Sequence, residues 1–345
     1  MSRPRKLLLL AEGHSGDPHH GKTARGVMRY RPEDVVALLD STRAGEQEEG
    51  FPIVGTVEEA LPLGATTALV GVATSGGRVP PAWRELLQQS IRAGLDIENG
   101  LHEFISNDLE LSELALAHGV QLRDLRKPPP GLNVPTGANL THSSRVVLTV
   151  GSDCAIGKMS VSLELDREAR RRGMASQFVP TGQTGIAIAG WGIAVDAVVS
   201  DFIAGAAEQL VVEGVERGGE LLLVEGQGSV LHPAYSGVTL GLIHGSAPHA
   251  YVLCHQAGSD VVDGDARFPI PPLSHLVDLH KQLSLIARPA TVVAVALNTR
   301  YLDDAGARAA IDDAERETGL PADDPVRFGG GKLFEALEAG LPHNS

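Results

Sequence analysis

The segment Val146-Val-Leu-Thr-Val150 runs directly into Gly151-Ser-Asp-Cys-Ala-Ile-Gly157-Lys158-Met159-Ser160. The apolar run predicts a buried strand, and a helix is predicted from Lys158 to Arg172. A strand, a glycine-bounded loop and Gly-Lys at a helix start form an anion cradle, because backbone N–H groups and the positive helix end face the loop. The lysine ammonium then neutralises phosphate oxygens. This stretch therefore predicts a phosphate-binding loop within an α/β domain.

The loop departs from the standard pattern G-x-x-x-x-G-K-[ST] at two points. Five residues separate Gly151 from Gly157, and Met159 stands where a Ser or Thr hydroxyl binds magnesium. The missing hydroxyl weakens the case for hydrolysis or phosphoryl transfer, since Ser160 is one residue late. An ordinary strand-to-helix turn is the alternative. The predicted ligand-binding residues of the loop are Gly151, Ser152, Asp153, Cys154, Ala155, Ile156, Gly157, Lys158, Met159 and Ser160.

Short apolar runs alternate with helical patterns in the first part of the chain. The predicted strands are 7–10, 35–39, 68–72, 95–97 and 120–122, and the predicted helices are 81–93 and 109–118. Alternation of strands and helices is typical of a parallel sheet covered on both faces. Residues 1–126 are therefore predicted to form an N-terminal Rossmann-like domain.

A proline-rich stretch follows, and then the alternation resumes more strongly. Pro128-Pro-Pro130 can continue neither a helix nor an inner strand and stiffens a linker, so we predict a linker over 127–144. The later predicted strands are 145–150, 221–224, 250–254 and 291–297, and the later predicted helices are 158–172, 201–217, 275–287 and 303–318. Residues 145–345 are predicted to form a P-loop-containing, nucleotide-hydrolase-like α/β domain.

Composition argues against several classes of protein. The 345 residues carry 29 Lys and Arg against 43 Asp and Glu, a net charge of −14. Since phosphate backbones are bound through Lys and Arg, this acidity argues against a nucleic-acid partner. Leu7–Leu10 is too short for a signal-peptide core, and no stretch approaches the roughly 18 apolar residues of a membrane helix. We expect a cytoplasmic homo-oligomer without a membrane partner.

Two later segments join the loop in a resemblance. Gly151-x-Asp-x-x-x-Gly157-Lys158 has the length and spacing found in the dethiobiotin synthetase and cobyrinic acid amidase group of P-loop proteins. Leu222-Leu-Val-Glu225-Gly-Gln-Gly228 resembles the strand of that group whose terminal acid lies beside the phosphates. Val292–Asn298 resembles its last strand, which ends in the asparagine that reads adenine. The resemblance adds Asn298 to the predicted nucleotide-binding residues.

The whole chain also resembles a narrower family, the D-glutamate N-acetyltransferases, formerly a domain of unknown function. The matching stretches are 21–31, 98–104, 151–159, 182–185, 225–228 and 296–299. The resemblance implies transfer of acetyl from acetyl-CoA to the amino group of an acidic amino acid. A P-loop without its magnesium hydroxyl would then hold the pyrophosphate of coenzyme A without hydrolysing a nucleotide. Coenzyme A and an amino acid are accordingly the expected small-molecule partners.

Acetyl transfer to an amine needs a base, donors for the tetrahedral oxyanion and an oriented thioester. Glu225, Asp153 and His232 are the candidate bases, and the glycine turns 182–185 and 226–228 are candidate oxyanion donors. A dicarboxylate acceptor would need cations, since guanidinium meets carboxylate bidentately. The predicted substrate-binding residues are Gln227, Arg267 and Arg300.

Several alternatives stay open at this point. An ATP- and magnesium-dependent ligase or kinase of the dethiobiotin synthetase type would use Glu225 and Ser160 to hold the metal. A nucleotide-sensing module without chemistry is a third possibility. Cys154 is either a small residue in a tight loop or an acetyl carrier. No metal site is predicted, and the loop 13–23 with its pair His19-His20 is interpreted as a flexible, site-facing segment.

Overall fold

A computed structural model describes residues 4–17, 21–72 and 74–342. By contacts between residues the chain divides into two compact units. The first unit consists of Met1–Pro128 and Gln183–Ala197, and the second of Pro129–Gly182 and Val198–Ser345. His19 and His20 lie outside the described residues.

Strands and helices alternate along nearly the whole chain. The strands are β1 (Leu7–Leu10), β2 (Val35–Leu39), β3 (Gln47–Glu48), β4 (Phe51–Val54), β5 (Thr67–Val70), β6 (Asp96–Asn99), β7 (Leu122–Asp124), β8 (Arg145–Gly151), β9 (Ser176–Val179), β10 (Leu221–Val224), β11 (Ala250–Gln256), β12 (Thr291–Asn298) and β13 (Ala322–Asp323). The helices are α1 (Lys22–Tyr30), α2 (Val57–Ala60), α3 (Trp83–Arg92), α4 (Leu109–His118), α5 (Lys158–Arg171), α6 (Gln183–Ala189), α7 (Ile203–Glu216), α8 (Ser236–Ser246), α9 (Leu273–Leu283), α10 (Asp304–Thr318), α11 (Pro325–Phe328) and α12 (Gly331–Gly340). Within the described ranges, every helix is too short or too polar to cross a membrane.

The first unit is built on a seven-stranded sheet in the order β3-β4-β2-β1-β5-β6-β7. Its pairings are parallel except for the short β3, which lies antiparallel to β4. When the parallel strands alone are counted along the chain, their order is 3-2-1-4-5-6, which is the order of a Rossmann sheet. Leu7–Leu10 is fully buried at its centre, as an apolar run covered on both faces must be. The Rossmann-like prediction is confirmed.

The second unit is built on a six-stranded, wholly parallel sheet in the order β13-β12-β11-β8-β10-β9. β8 lies between β11 and β10, so the chain leaves it first toward one side of the sheet and later toward the other. Ligands of parallel sheets bind outside the carboxyl ends of the strands at such a switch point. The loop after β8, the one singled out by the sequence, therefore occupies the binding position of this sheet.

The proline-rich stretch is tied to the second unit. Thr136 donates from its N–H and its hydroxyl to Glu208 Oε1, at 2.6 and 2.9 Å, and the N–H of Gly137 donates to Oε2 at 2.7 Å. Burial of Glu208 acts to raise its pKa, but these hydrogen bonds outweigh it and lower the pKa. The segment predicted as a linker thus packs on α7 over part of its length.

Residues 183–197 lie between two strands of the second unit in sequence and pack with the first unit in space. Arg5 Nη2 donates to Ala187 O at 2.7 Å, and Arg123 Nη2 donates to Gly190 O at 2.9 Å. Two arginines of the first unit therefore each bond the backbone of this segment. The sequence places this segment within the predicted second domain, 145–345, because sequence patterns carry no information on such long-range contacts.

The half-buried His249 of the second unit makes its stability depend on pH. His249 Nδ1 accepts the N–H of Val146 at 3.0 Å, which requires an unprotonated nitrogen. Burial of the ring, and next the charge of Arg288, lower the pKa of His249 to about 4. An unfolded histidine has a pKa of about 6.5.

We expect the free energy of unfolding to be fully retained above pH 6.5 and to fall as the pH drops toward 4, because only the unfolded state takes up the His249 proton in that window. His249→Asn keeps an oxygen acceptor for the Val146 N–H and removes the titration. The decline should therefore be shallower in His249→Asn when urea unfolding is measured across this pH range. Identical pH slopes in the two proteins would contradict the assignment.

Candidate functional site

The loop between β8 and α5 has the backbone of an anion cradle. Ala155 has a φ of 54° and Gly157 a φ of 110°, both in the left-handed region that favours glycine. Ile156 between them is only 5 % exposed, so its side chain anchors the loop in the core. A Cβ at Gly151 would lie 2.8 Å from Ile156 Cδ1 and 3.2 Å from Cys254 O, so any larger residue would force its neighbours to shift.

Lys158 is a buried cation inside this loop. It is 6 % exposed, and its Nζ donates to the backbone oxygen of Asp153 at 2.6 Å. Burial lowers the pKa of Lys158, while Cys254, Cys154, Asp153 and Glu225 act in the opposite direction. An ammonium held at a loop carbonyl is poised to exchange that partner for a phosphate oxygen, as the sequence predicts.

Glycine allows the end of β10 to lie directly against β8. A Cβ at Gly226 would lie 1.7 Å from Thr149 O, and the N–H of Gly226 donates to Thr149 Oγ1 at 2.9 Å. Thr149 Oγ1 is also 3.1 Å from Ser162 Oγ on α5. The Thr149 hydroxyl thus joins β8, β10 and α5, a role that sequence analysis missed because the residue reads as part of an apolar strand.

The carboxylate of Glu225 holds a neighbouring turn. Its Oε2 accepts the N–H groups of Thr181 at 2.9 Å and Gly182 at 3.1 Å, and Glu225 is 4 % exposed. Gln227 Nε2 lies 3.4 Å from Oε1. The N–H groups of Gly182 and Gly226 are therefore already bonded, which leaves those two unavailable as oxyanion donors.

Asn298 lies at the carboxyl end of β12, beside the loop. Its Nδ2 donates to Ile156 O at 3.2 Å, and its Oδ1 accepts the N–H of Arg300 at 3.2 Å. The Asn298 amide thus braces the phosphate loop from the next strand but one. Its predicted contact with adenine stays a prediction.

Asp153, Cys154 and His232 form a compact cluster. One ligand atom from each lies within 4.8 Å of the others, a donor set that could hold a metal ion such as zinc. Asp153 Oδ1 accepts the N–H of Cys154 at 2.6 Å and Oδ2 accepts that of Asp263 at 2.7 Å. Burial raises the pKa of the Cys154 thiol, so this cysteine is not an activated thiolate.

Unlike the carboxylates of Glu225 and Asp153, His232 has one ring nitrogen that is not engaged by the protein. It is 6 % exposed, stacks against Tyr235 and accepts the N–H of Ala234 at Nδ1, 3.1 Å away. Acceptance at Nδ1 places the proton of the neutral ring on Nε2. Within the described part of the chain, Nε2 makes no hydrogen bond, so it can donate one to a ligand.

The two arginines predicted to clamp a substrate have local partners. Arg267 has an 81 % exposed side chain and pairs with Asp265 at 2.5 Å. Arg300 is exposed, bonds the Tyr301 hydroxyl and lies 4.4 Å from the centroid of that ring. Their roles in binding substrate stay predictions, as does that of Gln227.

Comparison with known proteins identifies the family. A P-loop domain described as the C-terminal part of DUF1611, a family of unknown function, matches residues 133–334. Its Rossmann-like N-terminal part matches residues 39–128. The chain belongs to the DUF1611 family. A crystal structure of a DUF1611 protein from Anabaena variabilis is 40% identical, has a TM-score of 0.89, and aligns with 97% of this chain and 99% of its own.

Two curated relatives carry a functional name. A protein of Tritonibacter scottomollicae is 36% identical over 96% of this chain and 98% of its own length. A protein of a Pseudoalteromonas species is 36% identical over 79% of this chain and 81% of its own. Both are named D-glutamate N-acetyltransferase. The resemblance to the D-glutamate N-acetyltransferase family, formerly a domain of unknown function, is thereby confirmed.

We expect Glu225→Ala to lower the free energy of unfolding by about 1–3 kcal/mol for each backbone donor left buried without an acceptor. Glu225→Gln should lose much less, because its side-chain carbonyl can still accept from Thr181 and Gly182. Urea unfolding of the two variants measures the difference. Glu213→Ala, which removes an exposed pair with Arg217, is the control. Equal losses in Glu225→Gln and Glu225→Ala would contradict the anchoring role.

Proposed function

We propose that this protein is an acetyl-CoA-dependent D-glutamate N-acetyltransferase. The observation that carries the proposal is the functional name shared by two relatives that are each 36% identical and align over most of the chain. It agrees with the amino-acid N-acetyltransferase activity expected from the sequence. An acetyl-CoA-dependent reaction also suits the cytoplasmic location predicted there.

The phosphate loop fits the pyrophosphate of coenzyme A. The ammonium of Lys158 is buried, and within the described residues its only hydrogen bond goes to the Asp153 carbonyl. A bound anion would therefore neutralise its charge. The N-terminus of α5 adds backbone N–H groups at the same place. Met159 carries no hydroxyl for magnesium, so the loop would bind phosphates without cleaving them. Bound acetyl-CoA would supply the thioester that is attacked.

Hydrogen bonds separate the three candidate bases. The carboxylate oxygens of Glu225 and Asp153 accept hydrogen bonds from backbone N–H groups, whereas the protonated Nε2 of His232 is free to donate one. We assign His232 to the reacting atoms as a hydrogen-bond donor that stabilises the developing oxyanion. Glu225 and Asp153 then act as positioning residues that shape the loop and the turn around it. The ammonium proton of the acceptor is lost to solvent water before the amine attacks, in place of transfer to one of the three predicted bases.

Donor binding provides the first test. We expect Lys158→Ala to abolish binding of CoA in isothermal titration calorimetry and to abolish acetyl transfer, while circular dichroism shows a retained fold.

Incubation of the wild-type protein with D-glutamate and acetyl-CoA should release free thiol only when the amino acid is present. Release of ADP from Mg-ATP would instead indicate the ligase or kinase alternative. Release of neither free thiol nor ADP would indicate a nucleotide-sensing module without chemistry.

The His232 assignment has a matched control in the same cluster. His232→Ala should lower kcat by roughly 100-fold or more, the usual effect of losing one oxyanion donor, with little change in KM for acetyl-CoA. Cys154→Ala should keep near-normal activity, because its thiol is neither ionised nor an acetyl carrier. Loss of activity in Cys154→Ala equal to that in His232→Ala would instead support a covalent or metal-binding role for the cluster.

A further inference from the structure

A second concentration of polar groups lies entirely in the first unit. A cavity of about 470 Å³ has Lys22, Gly77, Gly100, His102, Arg126 and Gln183 among its lining residues. These residues come from stretches far apart in the chain, namely the start of α1, the loops after β5, β6 and β7, and the start of α6. The cavity therefore exists only because the first unit folds as it does.

The cavity lies where a Rossmann sheet binds its ligands. From β1 the chain builds β2 and β4 on one side and β5, β6 and β7 on the other, so the order reverses between β1 and β5. The lining loops follow the carboxyl ends of β5, β6 and β7, and α1 is the helix that follows β1. A crevice at this switch point is the general ligand position of open parallel sheets.

Arg126 is fixed in place before any ligand arrives. Its side chain is 9 % exposed and forms an ion pair with Asp196. Its Nε donates to Gly100 O at 2.9 Å, and its Nη2 donates to Gln183 Oε1 at 2.7 Å. A guanidinium has five N–H donors, so further donors remain on Nη1 and Nη2.

Lys22 supplies a cation without a counter-ion. Within the described residues its Nζ makes no hydrogen bond or ion pair, and Lys22 is an exposed residue that lines the cavity. Burial, and next the charge of Arg126, lower the pKa of Lys22, whereas Asp196 raises it. His102 adds no charge at neutral pH, because burial and Arg126 lower its pKa as well. The cavity thus holds two cations against one carboxylate, and an anion would restore the balance.

A dinucleotide is a poor candidate for that anion. In Rossmann domains that bind NAD, an acid near the end of the second strand bonds the ribose hydroxyls. Here the acid after β2 is Asp40, which is 1 % exposed and accepts hydrogen bonds from Gly13, Ser15 and Thr42. These bonds outweigh its burial and hold the pKa of Asp40 at about 2, so the carboxylate stays committed to the protein.

We propose that this cavity of the first unit binds a carboxylate of the acceptor amino acid, with Lys22 as its ion-pair partner and Arg126 as its pre-positioned donor. The proposal rests on the proposed function for the identity of the acceptor. Arg267 and Arg300 already pair with Asp265 and Tyr301, whereas Lys22, although exposed like them, has no such partner among the described residues and lies beside the buried Arg126. Carboxylate recognition by a fixed guanidinium and an ammonium gives both affinity and orientation.

The test compares Lys22→Ala, Lys22→Arg and Lys127→Ala with the wild-type protein. Lys127 is an exposed lysine of the same unit whose ammonium bonds Ser106 and Asn107, so its variant is the matched control. We expect Lys22→Ala to raise KM for D-glutamate roughly 10- to 100-fold, the loss expected for a charged hydrogen bond, with KM for acetyl-CoA unchanged. Lys22→Arg should recover part of the loss, and Lys127→Ala should resemble the wild type.

Calorimetry with D-glutamate and with glutarate, each with and without CoA, separates this proposal from the proposed function. A wild-type protein that binds either dicarboxylate through Lys22 but transfers no acetyl would overturn the function and support the carboxylate site. Normal transfer with an unchanged KM for D-glutamate in Lys22→Ala would overturn the site and leave the function standing. A rise in KM for acetyl-CoA alone would also overturn it, since the cavity would then serve the donor.

Discussion

The contact between the backbones of Gly226 and Thr149 is the constraint on which the second unit's site depends. No side chain fits at position 226, where a Cβ would fall 1.7 Å from the Thr149 carbonyl oxygen. This approach brings the end of β10 against β8, so that Glu225 can reach the turn at Thr181 and Gly182. Lys158 is the first residue of α5, and α5 is hydrogen-bonded to both β8 and β10 through Ser162. The close approach that Gly226 allows therefore lets the side chains of Thr149 and Glu225 tie the phosphate loop, the acid and the turn together.

Much of the fold could be predicted from the sequence, for an identifiable reason. Strands such as β1 and β10 are continuous apolar runs buried on both faces, and their bounds agree with the prediction. α8, with the sequence SGVTLGLIHGS, was missed because its glycines and serines lower helix propensity and its apolar residues do not follow a single face. Packing against α7 supplies what the local sequence lacks.

Some features of the candidate site can likewise be recognised in the sequence, and others depend on contacts that the sequence does not reveal. The loop 151–160, Glu225 and Asn298 are recognisable locally, and the structure brings them together at the carboxyl ends of β8, β10 and β12. Their roles depend on partners distant in sequence, such as Thr181 for Glu225 and Ile156 for Asn298, and no local pattern encodes these. Arg126 was missed for the same reason, whereas Lys22 belongs to the loop 13–23 that the sequence analysis interprets as a flexible, site-facing segment. A lysine at the start of a helix after the first strand of a Rossmann unit was the one available signal.

Residues 183–197 make the two units interleaved in chain order, although each is compact. During synthesis, the first unit cannot complete its packing until the ribosome has already produced the phosphate loop of the second. A fragment starting at residue 145 would retain this segment without its packing partners, leaving Ile186 and Ile188, now 1 % and 3 % exposed, open to water. A fragment ending at residue 126 would lack Gln183 and Asp196, both partners of Arg126. Cutting the chain at its prolines would therefore yield one half prone to aggregate and another with an unpaired buried guanidinium.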